Sequence, residues 1–177
     1  IVALRPGDIA VDIGANDGAL LRLYTVPGLV SVGFEPAENL MSHAAEGTSK
    51  IFNDFFSAKP FVKEFGEKKA MVVTAIAMFY DLDNPNAFVR DVRDILHPQG
   101  VFVVEMHYLP EMLRQNSFDA ICHEHVEYYA LRPLMRLLER HGLEVFDVEL
   151  NGINGGSFRT YIRHSGSPVG QDRPGAK

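Results

Sequence analysis

Short apolar runs bounded by turn residues alternate along this chain with stretches whose apolar positions recur three and four residues apart. The first kind of run reads as a buried strand and the second as an amphipathic helix. "DIAVDIG" (8–14) predicts a first strand and "ANDGALLRLY" (15–24) a turn into a helix. "LVSVGFEP" (29–36) predicts a second strand, stopped by Pro36, and "AENLMSHAAEG" (37–47) a helix ended by Gly47. "KIFND" (50–54) is a short third strand and "SAKPFVKEFGEK" (57–68) a weak helix. "KAMVVTAIAMF" (69–79) is a fourth strand. "NPNAFVRDVRDILHPQG" (84–100) carries Phe88, Val89, Val92, Ile95 and Leu96 on one stripe, with Pro98 and Gly100 closing the helix. "VFVVEMH" (101–107) is a fifth strand.

Strands that are apolar almost throughout, each followed by a helix, imply a parallel sheet covered on both faces. The pattern then changes. "LRPLMRLLERHG" (131–142) is a helix, and "LEVFDVEL" (143–150) and "SFRTYIRH" (157–164) are strands joined by the Gly-rich "NGINGG". Two strands with no helix between them predict an antiparallel hairpin. The fold class expected is therefore α/β, a Rossmann-like, doubly wound, mostly parallel seven-stranded sheet with a C-terminal antiparallel hairpin. One domain is expected over 1–164, with 165–177 a linker or frayed tail. The chain starts at Ile1 rather than Met, with little before the first strand, and reads as a piece of something larger.

Composition narrows the function classes. Lys and Arg total 17 against 23 for Asp and Glu, and no basic run is present, so nucleic-acid binding is not expected. No apolar stretch reaches the roughly 20 residues that span a bilayer, so no membrane partner is expected either. The single cysteine, Cys122, predicts a reducing, cytoplasmic setting.

The chemistry begins where the first strand meets the first helix, the usual ligand position in such sheets. In "VDIGANDG", Gly14 suits a tight turn beside a ligand, Gly18 suits a helix starting close to it, and Asp12 can accept hydrogen bonds. The spacing is Gly-x-x-x-Gly, which is neither a dinucleotide fingerprint nor a triphosphate loop. Glu35 in "GFEP" falls at the end of the second strand, where an acid accepts from ribose hydroxyls. In "FNDFF", Asn53 and Asp54 can take an adenine amino group and Phe55 can lie against the ring, while one of Phe55 and Phe56 is core. The bland alternative is turn glycines, a solvated acid and core rings.

In this order, "VDIGANDG", "GFEP", "FNDFF" and "LHPQGVFVVE" resemble the class I S-adenosylmethionine-dependent methyltransferases over 8–106. The resemblance implies S-adenosyl-L-methionine as cofactor and S-adenosyl-L-homocysteine as product. It implies a cofactor site of Asp12, Gly14, Ala15, Asn16, Gly18, Glu35, Pro36, Asn53, Asp54 and Phe55, with Ala75, Ala77 and Met78 flanking the sulfonium.

"ICHEHVEYY" (121–129) offers three readings. Metal is one, but four adjacent residues rarely face one ion, and in an extended segment His123 and His125 share a face opposite Cys122 and Glu124. A structural loop is the second. Acid–base catalysis is the third, because histidine titrates near neutral pH and a flanking carboxylate can fix its tautomer. The run with its following "NGINGGSFR" resembles the sugar C-methyltransferases that act on nucleotide-linked 4-keto sugars. That resemblance implies His125 as base with Glu124 beside it, and proton removal from the carbon next to a ketone; on the ligand geometry no metal is expected. Cys122 stands where those enzymes often have tyrosine. His107, His123, Tyr128 and Arg159 are expected to line the acceptor site, and the partner is a small-molecule acceptor, a nucleotide sugar. Two other functions fit the same residues: an O-methyltransferase on a sugar or small-molecule hydroxyl, and a non-catalytic nucleoside-binding domain.

Overall fold

The computed structural model describes residues 1–171. Its strands are β1 (Ile9–Ile13), β2 (Val30–Phe34), β3 (Lys50–Phe52), β4 (Ala70–Ile76), β5 (Leu96–His107), β6 (Leu143–Asn151) and β7 (Ser157–His164). They form one seven-stranded sheet in the order β3-β2-β1-β4-β5-β7-β6. Strands β1 to β5 pair in parallel. Strand β7 runs antiparallel to both β5 and β6. This is the doubly wound sheet with a terminal hairpin that the alternation predicts.

The helices are α1 (Ala19–Arg22), α2 (Met41–Ala44), α3 (Ala58–Phe65), α4 (Pro85–Ile95), α5 (Leu109–Gln115) and α6 (Leu131–Glu139). The clearest is α4, where the Asn84 side chain accepts the Ala87 amide at 3.0 Å and Pro85 occupies the first turn. An N-cap of that kind stabilises a helix by about 1 kcal/mol, and proline there gives up no hydrogen bond. Its stripe of Phe88, Val89, Val92 and Ile95 is buried. One core joins it to Phe61 of α3, to Leu134 and Leu138 of α6, and to Ile9, Val11, Ile13, Val73, Phe102 and Val104 of the sheet. Side chains alternate along a strand, so Asp12, Thr74, Val103 and Glu105 point to the opposite face. There α1 and α2 contribute the buried Leu21 and Ala44.

Three expectations need correction. The first helix, expected to follow a turn within 15–24, is only one turn long, because the loop holds Asn16 and Gly18 at positive φ and the chain leaves the helix at Leu23. The second is a 3-10 turn (Glu38–Leu40) followed by a single α turn rather than a helix over 37–47. The residues "LHPQG", expected to close α4, begin β5: Leu96 is extended and pairs with Ala70 before a register shift. Pro98 biases its predecessor toward extended backbone, which ends the helix here. Of the expected tail, 165–171 falls within the described residues, and there the Ser167 hydroxyl donates to the Pro98 carbonyl at 3.0 Å while Val169 packs on Val101, Phe146 and Tyr161. The rest of the tail lies outside the described residues. Among the described residues no helix is long and apolar enough to cross a membrane.

Candidate active site

The β1–α1 loop is built on Glu35. One carboxylate oxygen accepts the Asn16 amide at 2.9 Å and the other accepts the Ala37 amide at 2.8 Å, while Gly14 and Ala15 donate to the Phe34 carbonyl. The acid at the end of β2 therefore fixes the glycine loop, and each oxygen keeps a further lone pair for a ligand. Gly14 lies against Met78: a Cβ there would stand 3.3 Å from the methionine Cγ.

Two cavities meet at Gly14. The smaller, about 340 Å³, is lined by Gly14, Glu35, Pro36, Asp54, Phe55, Met78 and Asp81 among others. The larger, about 680 Å³, lies on the second face of the sheet and is lined by Asp12, Gly14, Ala15, Asn16, Thr74, Glu105 and Arg159 among others. Both are of ligand size. Phe56 is the packed ring of its pair, edge-on to Phe34 and Phe88, whereas Phe55 is exposed at the rim of the smaller cavity.

Asp12 is buried and accepts the Thr74 hydroxyl at 2.5 Å. Burial pushes its pKa up to about 7, against the hydrogen bond, which lowers it. Thr74 was not foreseen, since a lone threonine in an apolar strand gives no signal.

Four residues of the expected cofactor set do other work. The Asn53 side-chain amide donates to the Glu35 and Pro36 carbonyls at 3.0 and 3.1 Å, tying β3 to β2. Ala75 is fully buried in the core. Gly18 lines neither cavity; its φ is +79° and a Cβ would stand 2.9 Å from the Ala44 carbonyl oxygen, so it is the glycine that lets α1 meet α2. Ala77, at φ +55°, lines neither cavity and donates its amide to the Glu105 carbonyl at 2.8 Å.

The 121–129 run turns at His123 and Glu124 instead of staying extended, so the two histidines do not share a face. Cys122, His123 and Glu124 are exposed, and of these four residues only His125 is half-buried. Its Nδ1 lies 2.7 Å from the Ala120 carbonyl. Its ring packs 4.2 Å from Tyr80 and 5.5 Å from His107, centroid to centroid. Burial, and then His125, pushes the His107 pKa down. Tyr80 and Asp81 belong to the 3-10 turn Phe79–Asp81 that follows β4. Burial raises the Asp81 pKa, His125 opposes that shift and Glu124 adds to it. Sequence reasoning passed over this turn, although a tyrosine and an acid directly after an apolar strand at the ligand end of the sheet are a usable signal.

The remaining acceptor residues are dispersed. Tyr128 is half-buried along a separate apolar groove with Met112, Phe118 and Ile121. Arg159 stands in the larger cavity, its Nε 2.5 Å from Glu105 and its Nη1 3.6 Å from Glu149. A guanidinium so occupied is a poor grip for a phosphate unless those carboxylates give way. Among the described residues no three His, Cys, Asp or Glu side chains are grouped to hold a metal ion.

Known proteins are similar to this chain in sequence and in fold. Residues 3–148 match the family described as "Methyltransferase domain". The C-methyltransferase NovU of Streptomyces niveus is 36% identical over 163 residues, which is 89% of this chain and 38% of NovU. The chain thus spans well under half the length of that relative. Among solved structures, a chain from the complex of the Haloferax volcanii Trm112 methyltransferase activator with a methyltransferase aligns with TM-score 0.71, 16% identity, and 92% and 84% of the two chains. Magnesium protoporphyrin IX methyltransferase from Synechocystis PCC 6803, solved with bound S-adenosylhomocysteine, aligns with TM-score 0.66, 13% identity, and 90% and 75% coverage. At such identities the structures speak to the fold and the family match to the lineage: the chain belongs to the methyltransferase-domain family, with the class I fold of the S-adenosylmethionine-dependent enzymes.

Proposed function

We propose that this chain methylates the carbon next to a ketone on a nucleotide-linked keto sugar, with His125 as the base. The observation that carries the reading is the placement of His125. It packs on Tyr80, and the next residue, Asp81, lines the smaller cavity at Gly14. A carbonyl oxygen can only accept, so Nδ1, facing the Ala120 carbonyl, carries the proton. That leaves the Nε2 lone pair free to take a proton, the arrangement a general base needs.

The residues present fit S-adenosylmethionine. Glu35 and Asp54 at the smaller cavity offer acceptors to a ribose and an adenine, Phe55 offers a ring face, and Gly14 leaves the passage toward Asp12 clear of a Cβ. When bound, the cofactor supplies an electrophilic methyl group on a sulfonium. His125 removes the acceptor's α-proton, and the electron pair of that C–H bond moves into an enolate. Glu124, whose charge reaches Asp81, is retained as the second acid–base group. The keto-sugar acceptor rests on the similarity to NovU and on the His-Glu-His run. A reducing, cytoplasmic setting is part of the same proposal and rests on the single cysteine.

The test is hydrogen exchange. With S-adenosylhomocysteine and a nucleotide-linked 4-keto sugar in deuterated water, the α-hydrogen should exchange, as followed by proton NMR. His125→Asn should slow that exchange by about 100-fold or more, the lower range for a lost general base. Methyl transfer without exchange would move the reading to a hydroxyl acceptor.

A further inference from the structure

The segment that carries His125 has few anchors of its own. Residues 121–124 and 126–127 are exposed. Tyr80 supplies much of what holds it, and it does so twice. Its carbonyl accepts the amides of both Val126 and Glu127 at 3.1 Å, fixing the backbone immediately after His125. Its ring lies 4.2 Å from the imidazole at 55°, and His107, 5.5 Å from both rings, completes a triangle with them. Tyr80 itself is firmly seated, only 7% exposed and part of the main core. Asp81, the next residue, and Met78, two residues before it, line the smaller cavity.

We propose that Tyr80 is the positioning residue of His125, its ring setting the plane of the imidazole and its carbonyl setting the backbone that carries it. The proposal rests on the reading of His125 as base. The two contacts divide the labour. An imidazole held only through Nδ1 can still rock about the Nδ1···O line, and a ring in contact with it at a 55° tilt limits that freedom. A catalytic group misplaced by as little as about 1 Å can lose about 100-fold in rate, so the ring contact matters to rate even though it touches no substrate. The contact needs an aromatic face and not a hydroxyl, which separates this role from one as a hydrogen-bond donor.

Two substitutions and two readouts test this. Tyr80→Leu keeps bulk and the backbone carbonyl but removes the flat face; Tyr80→Phe restores it. The first readout is the histidine Cε1–H NMR signal of His125, assigned with His125→Asn, which the nearby ring displaces by its ring current. The second is the α-hydrogen exchange described above. Tyr80→Leu is expected to return the signal toward the free-histidine position and to slow exchange at least tenfold. Tyr80→Phe is expected to recover both, with S-adenosylhomocysteine affinity by calorimetry unchanged in each. Equal losses in Tyr80→Phe and Tyr80→Leu would overturn the proposal in favour of the hydroxyl. So would a Tyr80→Leu variant that keeps the wild-type signal, or one that loses S-adenosylhomocysteine as well, since the residue would then serve the cavity. The NMR comparison needs no acceptor, so it still decides the role of Tyr80 if the unaltered protein shows no exchange and the base reading fails.

Discussion

Asp12 shows how burial alone can change what a carboxyl is. Its pKa rises from 3.8 to about 7 because it is enclosed at the end of β1. In the unfolded chain it ionises near 3.8, so between about pH 4 and 7 the folded state binds the extra proton. The sign follows: this group's contribution to stability is full below pH 4, is lost as pH rises to about 7, and is flat beyond. A shift of this size corresponds to roughly 4 kcal/mol. Asp12→Asn, which cannot ionise, should lack that slope. In urea melts from pH 4 to 8, the unfolding free energy of the wild type minus that of the variant should fall by a few kcal/mol and level off above pH 7. At this scale the acids were legible in the sequence but their roles only partly so. Glu35 is where an acid of that kind belongs, yet both its oxygens also hold the Asn16 and Ala37 amides. Asn53, expected to take the adenine amino group, gives its side-chain N–H groups to two carbonyls, which leaves only its Oδ1 to accept. Local spacing does not reveal which polar atoms the backbone has already claimed.

Among elements, the α1–α2 contact is a tight constraint near the site. Gly18→Ala would force an alanine to φ near +79° and put its Cβ 2.9 Å from the Ala44 carbonyl oxygen. Left-handed backbone costs about 1–2 kcal/mol and overpacking about 1–3. A loss of about 2–5 kcal/mol in a urea melt is therefore expected, with the glycine loop destabilised along with the helices. The sequence marked where elements lie better than where they stop. The stripe of α4 was plain in its periodicity, but the start of β5 at Leu96 depends on Ala70, a residue on a different strand. Although β4 ends at Ile76, the fourth strand is expected to reach Phe79, the first residue of the 3-10 turn, which continues the apolar run. Its burial is real, but it packs between Phe88 and Tyr129 rather than in the sheet.

The whole molecule is a sheet whose order departs from the order of synthesis at two places: β4 pairs with β1 and not with β3, and β7 comes before β6. The alternation of the sequence implied the parallel half and the hairpin, but a hairpin does not say which of its strands meets β5. The structure places the last strand, β7, between β5 and β6. Residue 107 leaves the ribosome fifty residues before its partner Ser157 does, so β5 waits with one edge unpaired. β6 also cannot join the sheet until β7 arrives to bridge it. Nascent chains stalled with residue 150 exposed should remain open to protease, and protection should appear as one step once residue 164 has emerged. Chaperone demand during translation would then concentrate in that interval, and a stop codon anywhere inside it would leave an aggregation-prone torso rather than a smaller working enzyme.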